Sequence, residues 1–284
     1  MKTGIIVQAR TTSSRLPNKV LLPLPSNGDV TVLDQVVNRV KKCTQIDDVI
    51  IATTQNKTDD PIEKKAEELE VKCFRGDEQN VLNRYYKAAV EYDLDIIVRI
   101  TSDCPFIDPF VIDDMIIVFK NSNTDYLSSA LNRSFPHGLD AEVFNFKSLE
   151  KAHLEASEKP ALEHVTYYFY SNPDTFICQN FEATANKTGK DIRITIDTKE
   201  DYMLLCAIHD YLKDEEFITT EMIIDLYNNK PWIRLINGNI KQKKVFETTK
   251  EELIEAAKIL ELQDLNKATI AIRKLIEEYE QKLA

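Results

Sequence analysis

The sequence predicts an α/β fold, a Rossmann-like, mostly parallel twisted sheet with helices on both faces and a helical carboxyl-terminal appendage. Three observations predict it. Short apolar runs recur at Ile5–Val7, Val49–Ile51 and Ile96–Val98. Longer stretches with apolar residues at helical spacing lie between them, and the runs end in polar loops. Strands alternating with helices of that length give βαβ units, whose right-handed crossovers build a parallel sheet.

The elements follow in order. A strand at 4–9 leads through a cationic loop to a helix at about 31–44, where Leu33, Val36, Val37 and Val40 share one face. Next come strand 48–53, helix 60–70, a short strand at 71–74, helix 80–92 and strand 95–101. Pro109 suits the first turn of a helix at about 109–120, with Asp108 as its cap. The pattern then becomes mixed, with extended segments at 125–130, 141–146, 176–183 and 191–197 and helices at about 148–157 and 160–171. A helix at 219–229 precedes Pro231 and the Asn237-Gly238-Asn239 break. Lys241-Gln242-Lys243-Lys244 then forms a basic link to helices at about 249–261 and 264–283. Leu253, Ala256, Ala257 and Leu260 stripe the first of these, and Leu265, Thr269, Ile272 and Ile276 the second. Such thin stripes are expected to pack on the main domain or a partner subunit, a solvent-exposed charged helix being the competing reading. The expected division is a domain over 1–245, in halves of about 1–124 and 125–245, and an extension over 246–284.

Composition narrows the function. A 284-residue chain with 43% hydrophobic residues builds a real core, and a net charge of −11 argues against nucleic-acid or anionic-membrane partners. No apolar run reaches the ~18 residues of a membrane helix and no signal peptide precedes the first strand, so a cytoplasmic protein is expected. The five cysteines are odd in number and never paired as C-x-x-C, which points to buried thiols. With six glycines, the chain has neither a dinucleotide fingerprint nor a P-loop, so side chains must hold any phosphate.

The first strand ends abruptly in a loop carrying Arg10, Arg15 and Lys19. Ligands of open α/β sheets sit outside the carboxyl ends of strands, so these cations would converge there on an anion. A nucleoside triphosphate fits best, since Arg offers a planar fork and Lys a point charge. A solvated basic loop accounts for the spacing alone equally well. A second cluster, Thr101 to Asp108, follows the Ile96–Val98 run and offers Asp103 as a Mg²⁺ ligand, magnesium needing few carboxylates. Turn capping is the competing role for Asp103 and the favoured one for Asp108. A third, Arg193 to Asp201, alternates as a strand and ends in Asp197, the second candidate carboxylate. Thr198 and Asp201 read as a helix cap. Pro136 to Glu142 packs His137, Gly138, Asp140 and Glu142 into a turn, suited to sugar hydroxyls but also to a plain hairpin. His164, beside Tyr167 and Tyr168, fits a core or interface histidine as well as a ligand. No histidine spacing suggests zinc.

Together these residues resemble a family. The order Q-A-R-x4-R-L-P-x-K (Gln8–Lys19), D-x-P-x-I-D (Asp103–Asp108) and I-D-T-x-E-D (Ile196–Asp201) resembles the cytidylyltransferases that activate acidic sugars. CMP-KDO synthetase and acylneuraminate cytidylyltransferase typify them. Phe74–Tyr86, Phe135–Phe144 and Glu163–Thr166 further resemble the spore coat polysaccharide biosynthesis protein F branch. The similarity runs from residue 1 to about 245. It implies a fold of the nucleotidyltransferase type, with Gln8, Ala9, Arg10, Arg15, Lys19, Thr53 and Asp103 around CTP and Arg75 near the base. It also implies Arg10, Arg15, Lys19 and Asp103 as the catalytic set, Mg²⁺ on Asp103 and Asp197, and His137, Asp140, Glu142 and His164 toward a small anionic acceptor. A homodimer formed mainly through 125–195 is expected.

Thr12, Asn18 and Ser102 stand where the branch commonly has glycine. Asn tolerates a left-handed backbone, whereas Ser102 would narrow the phosphates' approach. Two other classes stay open: a glycosyltransferase, whose D-x-D should follow a strand although Asp93-Leu94-Asp95 precedes one, and a catalytically silent nucleotide-binding protein.

Overall fold

The computed structural model describes residues 1–240 and 248–283. Its strands are β1 (Thr3–Gln8), β2 (Asp48–Thr54), β3 (Lys72–Gly76), β4 (Ile96–Thr101), β5 (Tyr126–Ser128), β6 (Glu142–Asn145) and β7 (Cys178–Asn180). They form one sheet in the order β3-β2-β1-β4-β6-β5-β7. β1 pairs in parallel with β2 on one side and β4 on the other, so the strand order reverses at β1/β4. Such a switch point opens a crevice at the carboxyl ends. Gln8 is level with Ala52 and Thr101, so three strands release their loops at one edge. β6 runs antiparallel to β4 and β5.

Alternate side chains of the central strands enter opposite cores. Ile5, Val7, Ile51, Val98 and Ile100 pack with α1 (Val32–Val40), α2 (Asp60–Glu68), α4 (Pro109–Lys120), α8 (Lys199–Tyr211) and α9 (Thr220–Asn229). Ile6, Ile50, Ala52, Ile97 and Phe144 pack with α3 (Val81–Glu91), α5 (Phe146–Glu155) and α7 (Tyr167–Tyr170). Both faces are covered, which is why the central strands read as continuous apolar runs. Caps set the helix starts where the sequence indicates them. Asp108 accepts from the Phe110 and Val111 amides, and Thr198 and Asp201 form a capping box on α8.

Two expected elements differ. Residues 191–197 form no strand; their amides are taken by loops, Ile194 donating to the His137 carbonyl (2.7 Å) and Ile196 to that of Asp103 (2.9 Å). The helix expected over 160–171 is broken into α6 (Lys159–Glu163) and α7, because Val165 takes the left-handed φ of 45° between them.

Met1–Gly238 is one compact unit, completed by the short α10 (Arg234–Asn237), and Asn239–Ala284 a second. In the second, α11 (Thr249–Leu262) and α12 (Asn266–Leu283) run antiparallel, tied by Lys250–Glu280 (2.7 Å) and Arg273–Glu261 (2.9 Å). The basic link at Lys241–Lys244 and the expected boundary at 245 lie outside the described residues.

Candidate active site

The loop after β1 is shaped by its own backbone and one buried acid. Asn18 is left-handed (φ 57°, ψ 19°), the conformation a glycine would otherwise supply, and its amide donates to the Thr11 carbonyl (3.0 Å). Thr11 is clamped by Asp59, fully buried, whose Oδ1 accepts from the Thr11 amide (2.8 Å) and hydroxyl (2.6 Å). Thr54 donates to the other oxygen. Asp59 was not among the expected residues: it precedes Asp60-Pro61 and in the sequence reads only as a helix start.

This loop delivers Lys19 to two carboxylates from distant segments. Its ammonium lies 2.8 Å from Asp103 Oδ2, 2.9 Å from Asp197 Oδ1 and 2.8 Å from the Ile196 carbonyl. Arg15 Nη2 is 3.0 Å and Arg193 Nη2 2.9 Å from Asp197 Oδ2. Burial opposes ionisation of both acids, but Lys19, helped at Asp197 by Arg193 and Arg15, outweighs it and lowers both pKa values. Both are therefore carboxylates at neutral pH.

Arg193 ties this cluster to the turn at 136–140. Its Nε and Nη2 grip buried Asp201 at 2.9 Å each, and its Nη1 lies 3.0 Å from His137 Nδ1. A guanidinium only donates, so Nδ1 accepts and the imidazole proton sits on Nε2, which faces Asp140 Oδ2 at 3.6 Å. Burial lowers the His137 pKa and keeps the ring neutral. Gly138, at φ 116°, allows the close approach: a Cβ there would lie 2.7 Å from the Ile194 backbone. Asp201 also accepts from the amides of Asp197 (3.0 Å) and Thr198 (3.1 Å), so the cap extends into the site. Arg193 was missed, although its signal, a cation four residues before Asp197, is present in the sequence.

Of the expected residues, Arg15, Lys19, Asp103 and Asp197 form one cluster, joined through Arg193 to His137 and Asp140; Arg133 also pairs with Asp140. Arg10 is half-buried near Arg84, and no ion pair joins it to a described residue. Gln8 and Thr53 each keep a buried oxygen without a partner, while the Ala9 amide is used by the Ala52 carbonyl (3.1 Å). Arg75 does not join the cluster. Its guanidinium is committed to the carbonyls of Thr54 (2.9 Å) and Asn56 (2.8 Å) and to Glu63 and Asp60 (2.7 Å each), bracing the turn between β2 and α2. Glu142 and His164 stand in a separate group around Arg99. Asp93 and Asp95 sit before β4, at the edge opposite the crevice, where a metal-binding D-x-D has no substrate to serve.

Among the described residues no group of three or more His, Cys, Asp or Glu side chains is placed to hold a metal. Two ionised carboxylates within reach of one ammonium nevertheless fit Mg²⁺, which takes one or two carboxylates and fills its shell with water and phosphate oxygens.

Comparison with known proteins gives the family. The family model described as Cytidylyltransferase matches residues 4–255. The chain is 40% identical over 247 residues to Uncharacterized protein MJ1063 of Methanocaldococcus jannaschii, covering 87% of this chain and 99% of that one. It is 36% identical to Spore coat polysaccharide biosynthesis protein SpsF of Bacillus subtilis, covering 80% and 94%. A solved cytidylyltransferase from Leptospira borgpetersenii superposes with a TM-score of 0.74 at 33% identity, covering 86% of this chain and all of that one. With its crevice, its two carboxylates and its cationic loop in that setting, the chain belongs to the cytidylyltransferase family.

Proposed function

We propose that the protein joins CMP from CTP to a small anionic acceptor, an acidic sugar, a sugar or polyol phosphate or a phosphonate, with release of pyrophosphate. Spore coat polysaccharide biosynthesis, named for the Bacillus relative, supports surface polysaccharide as the destination. A cytoplasmic homodimer, formed mainly through 125–195, belongs to the same reading. The observation that carries it is Lys19 holding Asp103 and Asp197 together at the switch point.

Asp103 and Asp197 are the residues that would hold Mg²⁺, which when bound neutralises phosphate charge and eases deprotonation of an acceptor hydroxyl. An acceptor oxygen forms a bond to the α-phosphorus as the bond to the bridging oxygen of pyrophosphate breaks in line. A phosphate or phosphonate acceptor is already ionised and needs no base. Lys19 and Arg15, both now paired with the carboxylates, turn to phosphate oxygens and offset charge on the leaving group, with Arg10 free to join them. Arg193 stays on Asp201 and keeps Asp197 oriented.

Pyrophosphate release tests the reading. The four nucleoside triphosphates are screened with Mg²⁺ against acidic sugars, sugar phosphates, polyol phosphates and phosphonates. Release with CTP and one acceptor class is expected; release with none of the pairs, or with GTP or UTP in preference to CTP, overturns it.

A further inference from the structure

The sheet face toward α3 is apolar except at its carboxyl edge. Ile6, Ile50, Ala52, Ile97 and Phe144 fill it, and then Gln8 on β1, Arg99 and Thr101 on β4 and Glu142 on β6 form a row across three neighbouring strands. Arg99 is level with Ile6 and Glu142, and Gln8 with Thr101. Polar side chains in a buried row need partners, and two of these lack them: Gln8 Oε1 and Arg99 Nε are buried without a hydrogen bond.

Glu142 was expected to touch the acceptor, but its carboxylate is already filled. One oxygen takes Arg99 Nη1; the other takes the hydroxyls of Tyr126 and Thr166, the latter at 2.7 Å. Arg99, with one hydrogen bond among the described residues, is the member with donors to spare. Its side chain is 17% exposed, and the Tyr85 ring lies 6.0 Å from its guanidinium carbon. His164 and Tyr170 lie close enough to feel its charge, and both are exposed. Val165, fully buried and left-handed at φ 45°, is a strained conformation for a β-branched residue. That turn sets Thr166 inward onto Glu142 and leaves His164 exposed. Asp103 lies four positions beyond Arg99 along β4 and its loop, a reach of at most about 13 Å along extended chain, the scale of a sugar acid or sugar phosphate.

We propose that Arg99 is the specificity-determining residue of the acceptor side. It binds the acceptor's carboxylate, phosphate or phosphonate through the guanidinium N–H groups that Glu142 does not take, with Glu142 acting on Arg99 rather than on substrate. This rests on the cytidylyltransferase reading and names the residue that selects an anionic acceptor. A guanidinium fixed in a rigid sheet gives directional, charge-assisted contacts to two oxygens, which a neutral polyol does not match.

The test is steady-state pyrophosphate release with CTP and Mg²⁺. Acceptors are 3-deoxy-manno-octulosonate, glucose 1-phosphate, glycerol 3-phosphate and 2-aminoethylphosphonate, with glucose and glycerol as neutral counterparts. Wild type is expected to use an anionic member and neither neutral one. Arg99→Met should raise the KM of that acceptor about 10- to 100-fold, the scale of losing a hydrogen bond to a charged group, with CTP affinity by calorimetry unchanged. Arg99→Lys should recover part of the loss. Since Arg99→Met leaves Glu142 buried without a counter-charge, Arg99→Met/Glu142→Gln is measured beside it and should show the same KM defect, with the fold restored as judged by thermal melting. An unchanged acceptor KM in the folded double variant, use of a neutral acceptor, or no anionic acceptor used by an enzyme that still binds CTP overturns the proposal. Failure of wild type to bind CTP instead overturns the cytidylyltransferase reading.

Discussion

Two groups of cations and carboxylates stand at the carboxyl edge of this sheet, and they are built differently. Around Lys19, three cations and two carboxylates meet from loops more than 80 residues apart in sequence, with Lys19 and Arg15 on the first loop and Asp103 and Asp197 on two others. Around Arg99, one cation and one carboxylate sit in register on adjacent strands, and two hydroxyls fix the carboxylate. In the proposed reaction the loop-borne group exchanges its internal ion pairs for phosphate oxygens. The strand-borne group is held in register by the sheet, which suits recognition of a group that does not react.

The sharpest way to break the comparison is at Asp103. Asp103→Asn keeps the shape and removes a charge, so turnover should fall at least ~10²-fold, the scale of losing one preorganised electrostatic contact. Folding should persist, because Lys19 keeps its ion pair with Asp197 and Asn still accepts a hydrogen bond in place of the lost carboxylate. Near-wild-type pyrophosphate release from the folded variant would refute the metal role. Next in size is Lys19→Ala, expected to weaken CTP binding roughly 10-fold, with Arg15→Ala, on a more exposed side chain, losing less. Calorimetry at two salt concentrations measures both. No loss in either variant would mean that the loop cations do not exchange onto phosphate.

A smaller effect distinguishes a brace from a ligand. Arg75→Ala should lower stability by about 1–2 kcal/mol through lost hydrogen bonds to carbonyls, while changing CTP affinity less than Lys19→Ala does. The reverse ranking by melting and calorimetry would return Arg75 to the base site.

The Arg75 case shows what was legible in the chain. The parallel half could be read because its strands are buried on both faces and its helices carry their own caps, so periodicity and local chemistry agree. Lys19, Asp103 and Asp197 could be read because each follows a strand or strand-like run and the crevice rule brings such ends together. What escaped depended on long-range pairing. Asp59 matters through Thr11, 48 residues away, and Arg99 looks like any polar residue on a strand until Glu142 is seen beside it. Residues 191–197 alternate like a strand, yet their partners are loops, which no local pattern encodes.

The mildest perturbation is pH. Burial lowers the pKa values of His137, His153, His164 and His209 below the ordinary 6.5. A lowered folded pKa means that the unfolded chain binds more protons, so that contribution is present above about pH 6.5 and is lost as pH falls through the folded values. Asp103, Asp108 and Asp197, all lowered from 3.8, add a second loss that begins near pH 4 and continues below it. Thermal melts from pH 8 to 3 should therefore show a plateau and two successive declines. A single decline starting near pH 4 would mean that the histidines titrate as free side chains.

The central claim, that the Lys19 cluster exchanges its internal ion pairs for a metal-bound CTP, is tested most directly by calorimetric titration of CTP, UTP, GTP and ATP with and without Mg²⁺, into wild type and Asp103→Asn. CTP should bind most tightly to wild type, and that binding should depend on Mg²⁺ and weaken in the variant. Tighter binding of another triphosphate, or CTP affinity indifferent to both Mg²⁺ and Asp103, would contradict the account.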